Sequence, residues 1–294
     1  MRDMADKPPF RFLPPKSRPA RLRPWVQLAF AAIWLAPVRT WTAGIPSCVF
    51  HCYACPLVSL SCPVGLVANY ATWHIIPWLT IAVVFSVAAL VGSLVCGWMC
   101  PFGALQDLFN KIPGPKISLP KWTGYGRYVV LVGVVIVLPY VLGGMGIAYD
   151  DQVVSICREC PAGAVEAAVP RQVMAWAGID GPVHVHTIKW VLIAVFLVSI
   201  TVIYRPWCKV LCPLGGFLAL FNRFSFFQLH LNRPQCINCN LCHSRCSMDV
   251  EVTKAPNSAG CIRCLDCIAC GALTPSIPAF GKKPPKEDEP GDRV

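Results

Sequence analysis

Apolar residues in this chain come in long blocks, broken by short stretches rich in proline, cysteine and basic residues. Four blocks are long and apolar enough to predict spanning helices, since a hydrocarbon core of about 30 Å takes roughly 20 helical residues. They lie near Trp25 to Ala43, Trp78 to Val95, Tyr128 to Ile147 and Ile188 to Tyr204. Arg39 interrupts the first block, but no small-residue cleavage pattern follows it, so it reads as an uncleaved anchor and not as a signal peptide. The pattern predicts an all-α integral membrane protein with four transmembrane helices.

Charge sets the expected topology. The 294-residue chain is 55% hydrophobic and only 14% charged, which is too apolar for an ordinary water-soluble domain. Seven Lys or Arg fall in residues 1–24, four more are Lys111, Lys116, Lys121 and Arg127, and none of either sign lies between Thr40 and Gln106. By the positive-inside rule the N-terminus, the 111–127 connection and the C-terminal region are cytoplasmic, and the loops near 44–77 and 148–187 face outward. The net charge of +11 is spread along the chain and not gathered into a stripe with interleaved aromatics, so it predicts no nucleic-acid partner. No Gly-rich phosphate loop or Rossmann fingerprint is present.

Read by halves, the chain repeats. CGWMCPFGALQDLFNK (Cys96 to Lys111) recurs as CKVLCPLGGFLALFNR (Cys208 to Arg223), with every match displaced by 112 residues. Each half contains a span, an outer loop with cysteines, a second span and a Cys-x3-Cys-Pro motif. Parallel repeats of this kind bring equivalent ends together, so Cys96 and Cys100 are expected to meet Cys208 and Cys212. The expected units are a basic arm at 1–24, a membrane domain at 25–227 built as a two-fold repeat, a small α+β ferredoxin-like unit at 228–275 and a disordered tail at 276–294.

Eighteen cysteines carry the chemistry. Cys236, Cys239, Cys242 and Cys246 follow the ferredoxin spacing C-x2-C-x2-C-x3-C, which places thiolates around a [4Fe-4S] cube. Cys261, Cys264, Cys267 and Cys270 form a second run with a shorter last gap. In two-cluster ferredoxins the fourth Cys of each run serves the other cluster. One expected set is therefore Cys236, Cys239, Cys242 and Cys270, and the other is Cys261, Cys264, Cys267 and Cys246. Zinc is the rival, because paired C-x2-C also suits tetrahedral thiolate sites. Cys239-Asn-Leu-Cys242-His243 fits a c-type haem attachment pattern, but its cysteines have a better use within the ferredoxin run.

The inner quartet Cys96, Cys100, Cys208 and Cys212 admits three readings: another [4Fe-4S] cluster, a pair of redox dithiols, or buried structural cysteines. Cys52, Cys55, Cys157 and Cys160 form an outer quartet, with Cys62 as a possible substitute for one member. It reads as a cluster site or as a redox-active C-x-x-C, since disulfides form readily outside the membrane. Cys48 has no assignment. His51, His74, His184 and His186 fall in the expected outer loops, either as proton acceptors for a quinol or as polar neighbours of an aromatic belt.

The two Cys-x3-Cys-Pro motifs and the C-terminal double ferredoxin run resemble the NapH family of membrane quinol dehydrogenase components, related to NosR-type and CcoG-type membrane ferredoxins. The resemblance covers Trp25 to Leu273, and the outer cysteines lie outside the family pattern. It implies electron transfer between the quinone pool and redox partner proteins in a multisubunit complex, from a bacterial or archaeal cytoplasmic membrane. The expected function is an iron–sulfur electron-transfer subunit, with membrane lipid as surroundings and quinone or quinol as substrate. The alternatives are a membrane thiol–disulfide oxidoreductase and a metal-handling or assembly protein.

Overall fold

Prolines set where the helices begin and how they are wound. A computed structural model describes residues 17–34, 46–48, 61–112, 117–152, 154–178 and 187–276. The helices are α1 (Arg18–Trp34), α2 (Pro63–Thr72), α3 (Trp78–Val91), α4 (Leu94–Trp98), α5 (Pro101–Phe109) and α6 (Trp122–Gly144). They continue with α7 (161–176), α8 (Thr187–Val202), α9 (Trp207–Leu211), α10 (Pro213–Leu220) and the single turn α11 (Leu241–Ser244). Three stretches are π-helical: Val130–Val137 in α6, Ala164–Ala168 in α7, and α9. Each ends two residues before a proline, namely Pro139, Pro170 or Pro213. Proline has no N–H and its ring crowds the carbonyl four residues back, so the ladder just ahead of it widens.

The expectation of a four-span all-α membrane protein is not met. Among the described residues one helix, α6, is long and apolar enough to cross a membrane, with 23 residues and a mean hydropathy of 2.0. The second expected span stops early because Gly92 takes φ +53° and ends α3 after 14 residues, about 21 Å of helix. The fourth is α8, whose 16 residues reach about 24 Å before Arg205, at φ +48° and followed by Pro206, turns the chain. The first expected span survives in part as α1, which carries Arg21, Arg23 and Pro24, and its remainder falls outside the described residues.

After α10 the chain forms a small unit closed by a two-stranded antiparallel sheet. β1 (Gln228–Leu231) pairs with β2 (Leu273–Ser276), Leu231 opposite Leu273. Asn257 ties the 250s loop to β1, accepting from the Leu229 N–H and donating to its carbonyl, both at 3.0 Å. Two cores result. One gathers Phe102, Val135, Phe196, Ile200 and Leu218 among the helices. The other gathers Leu229, Val252, Ile262 and Leu273 under the sheet.

A polar seam fixes the sheet unit to the helices. Arg263 is fully buried and donates to the Val91 carbonyl (2.9 Å), the Ser225 hydroxyl (2.7 Å) and the Asn222 carbonyl (2.6 Å). Asn222 donates to the carbonyls of Ser258 (3.1 Å) and Cys261 (2.8 Å) and accepts from the Ser93 hydroxyl. Gly97 passes so close that a Cβ there would sit 2.4 Å from the Ile262 carbonyl oxygen. From α1, Arg23 and Gln27 donate to the Gly97 carbonyl at 2.7 and 2.9 Å, and Ser17 donates to the Leu265 carbonyl.

Candidate metal centres

Four helices begin with the same tetrapeptide. Cys62-Pro63-Val64-Gly65, Cys100-Pro101-Phe102-Gly103, Cys160-Pro161-Ala162-Gly163 and Cys212-Pro213-Leu214-Gly215 open α2, α5, α7 and α10. In each the cysteine caps the helix in an extended conformation, with φ −65° to −76° and ψ 109° to 124°, and proline takes the first helical position. Proline suits that place because its missing N–H has no helical partner there. All four thiols are buried in the helical core. In two of the caps the glycine at the third helical position donates its N–H to the cysteine sulfur, at 3.5 Å for Gly163 to Cys160 and 3.3 Å for Gly215 to Cys212. Sequence reasoning singled out Cys-x3-Cys-Pro and missed the wider Cys-Pro-x-Gly spacing that unites all four positions.

The structure brings Cys96, Cys100, Cys208 and Cys212 to one apolar cavity of about 30 Å³. Burial raises the pKa of all four, and neighbouring sulfurs add to it at Cys96, Cys100 and Cys212. Cys100 is pushed up to about 12, by burial, then by Cys208 and Glu166, against the opposing pull of the Gly103 N–H and Arg205. Cys96 is raised by burial, Cys100 and Cys208, and Cys212 by burial, Cys208, Cys96 and Cys100. Cys208 is raised by burial, opposed by Arg205 and by the Gln106 side chain, which donates to its sulfur at 3.3 Å. Such thiols stay neutral by themselves and need a cationic partner to ionise. Cys48 and Cys261 also line the cavity. Cys48, expected in an outer loop, instead packs against Val95.

The sheet unit holds the other two groups. Burial raises the Cys242 thiol, and Cys270 and Cys236 add to it. Cys239 is exposed. Cys267 is raised by burial, then Cys264, Cys261 and Cys246. Cys264 is pushed up to about 12, by burial, Asp266 and Cys246, and Cys261 to about 11, by burial and Cys246. Cys270 thus acts on Cys242 of the first run and Cys246 on Cys261, Cys264 and Cys267 of the second, while Cys242 also acts on Cys267.

The two runs also share a backbone. Asn238 and Arg263 take φ +53° and +51° two residues after the first cysteine, and Asn240 and Leu265 take φ +55° and +63° directly after the second. Left-handed residues between right-handed ones turn successive N–H groups inward, forming the nests that hold anionic groups, Fe–S sites among them. Two such bonds run from the N–H of Arg263 to Cys261 (3.3 Å) and from the N–H of Val250 to Cys246 (3.4 Å).

These residues fit an iron–sulfur cube in charge as well as in donor type. The buried charged side chains among the described residues are Arg23, Arg127, Arg205 and Arg263, and the carboxylates paired with Arg23 and Arg205, Asp107 and Asp266, are partly exposed. Arg205 and Arg23 share the partly exposed Asp107, and Arg205 also reaches the Cys96 carbonyl at 3.5 Å. Cations in such number flanking thiols match a site built for a strongly anionic group. Among the described residues no three His, Cys, Asp or Glu gather tightly enough for a single metal ion.

Several expected residues lie elsewhere. Cys52 and Cys55 of the outer quartet fall outside the described residues, as do His51, His184 and His186. Cys157 and Cys160 lie with Cys62 in the helical core. His74 packs edge-on against Tyr140, with ring centres 4.2 Å apart. The ring of His243, the haem-pattern histidine, sits 3.2 Å from the Val250 carbonyl.

A family profile described as a 4Fe-4S binding domain matches the chain twice, at residues 73–120 and 187–234. An uncharacterized protein of Methanocaldococcus jannaschii is 30% identical over 68% of this chain and 70% of its own length. The putative electron transport protein YccM of Escherichia coli is 26% identical over 71% of this chain and 59% of its own. The ferredoxin-type protein NapH of Haemophilus influenzae is 26% identical over 73% and 71%. No solved structure matches. The repeated 4Fe-4S match, the buried cysteine groups and these relatives place the chain in the NapH/NosR-type family of iron–sulfur electron-transfer proteins.

Proposed function

We propose that this chain relays single electrons between the quinone pool and a redox partner protein, at a membrane and within a larger complex. It would hold one [4Fe-4S] cluster on Cys96, Cys100, Cys208 and Cys212, and two in the sheet unit. Of these two, one uses Cys236, Cys239, Cys242 and Cys270, and the other Cys261, Cys264, Cys267 and Cys246. Bound there, a cluster supplies reversible one-electron transfer at a potential tuned by burial and by hydrogen bonds to sulfur.

The observation that carries this reading is one cavity wall. Cys96, Cys100, Cys208 and Cys212 surround the cavity, and Cys261 of the sheet unit closes it. A site there has a thiol of the neighbouring group in its own lining, which suits transfer between the two. The chain contributes fixed caps, N–H donors to sulfur and a wall of Val95, Phe102 and Leu214 that keeps water out.

Membrane attachment through α6 completes the reading. Val129, Val132, Val137 and Val141 of that helix are about half exposed or more, an apolar face suited to acyl chains. An outer group on Cys157, Cys160, Cys52 and Cys55, with Cys62 in place of one of them, would extend the relay. Cys62 has in its favour the same helix-capping geometry as the inner cysteines.

Iron and sulfide counts on anaerobically purified full-length protein test the proposal. Cys100→Ser and Cys267→Ser should each remove about four iron. Cys160→Ser tests the outer group in the same way. Unchanged iron in Cys100→Ser rules out the inner cluster and leaves a dithiol there.

A further inference from the structure

We propose that Arg127 supplies the positive charge that balances the group held by Cys96, Cys100, Cys208 and Cys212, and so sets its reduction potential. The inference rests on the four-thiolate reading above. Arg127 lies near the start of α6, and a buried charge without a charged partner is expensive and calls for a functional reason. It is 7% exposed, and it is one of the residues that line the cavity of the four thiols. Its guanidinium donates to the Tyr128 hydroxyl (3.2 Å) and the Ala259 carbonyl (3.1 Å), and stands 5.0 Å over the Tyr128 ring. All of these partners are neutral, and Nε has none. Arg23 and Arg205, by contrast, both bond Asp107.

The packing holds the charge in place. A Cβ on Gly216 of α10 would come within 3.2 Å of Arg127 Cγ, so the glycine leaves room for the stem to run between α6 and α10. Four thiolates around a cube already carry excess negative charge, and each reduction adds one more in a low-dielectric wall. A fixed cation beside them favours the reduced form. The electron is exchanged with the quinone pool or the redox partner protein of the relay proposed above, and no bond is made or broken.

The test is a potentiometric titration of the full chain followed by electron paramagnetic resonance, the inner signal being the one missing from Cys100→Ser. Arg127→Gln should lower the midpoint of that signal by at least 59 mV, a tenfold shift in the one-electron equilibrium. Arg127→Lys should stay within half of that change. An unchanged midpoint in Arg127→Gln overturns the inference. Should the Gln variant fail to load inner iron, loading by Arg127→Lys supports the role of charge, and failure of both variants assigns Arg127 to packing instead. Iron that does not fall in Cys100→Ser refutes the four-thiolate reading itself, before any arginine is replaced.

Discussion

Gly97→Ala should loosen the seam between the helices and the sheet unit. The added Cβ would lie 2.4 Å from the Ile262 carbonyl oxygen, whereas ordinary contact begins near 3.4 Å, so one side must retreat by about 1 Å. Neither side moves freely. Arg23 and Gln27 both grip the Gly97 carbonyl, while Ile262 adjoins Arg263, whose guanidinium makes three short bonds to the helices. Overpacking between two held surfaces typically costs about 1–3 kcal/mol. The expected result is a destabilisation of that size in denaturant unfolding, with faster hydrogen exchange at residues 261–264. Gly124→Ala is the control, since its Cβ would meet nothing closer than the Lys209 carbonyl at 3.9 Å. A loss below about 0.5 kcal/mol, with exchange at 261–264 unchanged, would refute the view that this seam is rigid.

Arg263→Met removes all three of those bonds and leaves the Val91 and Asn222 carbonyls unpaired, so a loss of about 3–5 kcal/mol is expected in the same unfolding assay. Gly143→Val should part α2 from α6, because a Cβ there would come within 2.1 Å of the Thr72 carbonyl oxygen; a thermal midpoint equal to that of the unsubstituted chain would count against this contact. Asp107→Asn removes the negative charge shared by Arg23 and Arg205, leaving Arg23 only Asp266, and should destabilise by roughly 3 kcal/mol, more than Asp249→Asn, whose bond to Lys209 is nearer the surface. Iron removal by a chelator should expose residues 228–276 to protease before the helices, since Cys242, Cys264 and Cys267 sit in the core under the sheet; cleavage starting in the helices would contradict this.

The cysteine spacing made much of the candidate site legible. A repeat of Cys-x3-Cys-Pro is enough to suggest that four thiols converge, and the two ferredoxin runs announce themselves by their gaps. Helix lengths were not legible in the same way. Hydropathy carries the block from Trp78 to Val95 through Gly92 without a pause, yet Gly92 turns left-handed because Asn222 and Arg263 occupy the space a side chain would need, at 2.7 and 2.8 Å from a Cβ. Arg205 breaks the block after α8 because its side chain is drawn inward to Asp107 and the Cys96 carbonyl. Both breaks depend on residues far away in sequence. Cys48 was misplaced for the same reason, since nothing in its own neighbourhood points to Val95.

The Cys-Pro-x-Gly caps have a consequence for speed. Proline fixes the first helical φ, burial holds the thiol, and at Cys160 and Cys212 the glycine N–H restrains the sulfur, so these thiols have little freedom to swing. An electron arriving at a site whose surroundings barely move meets a small reorganisation energy. These helix starts should therefore favour rapid transfer even where the driving force is slight.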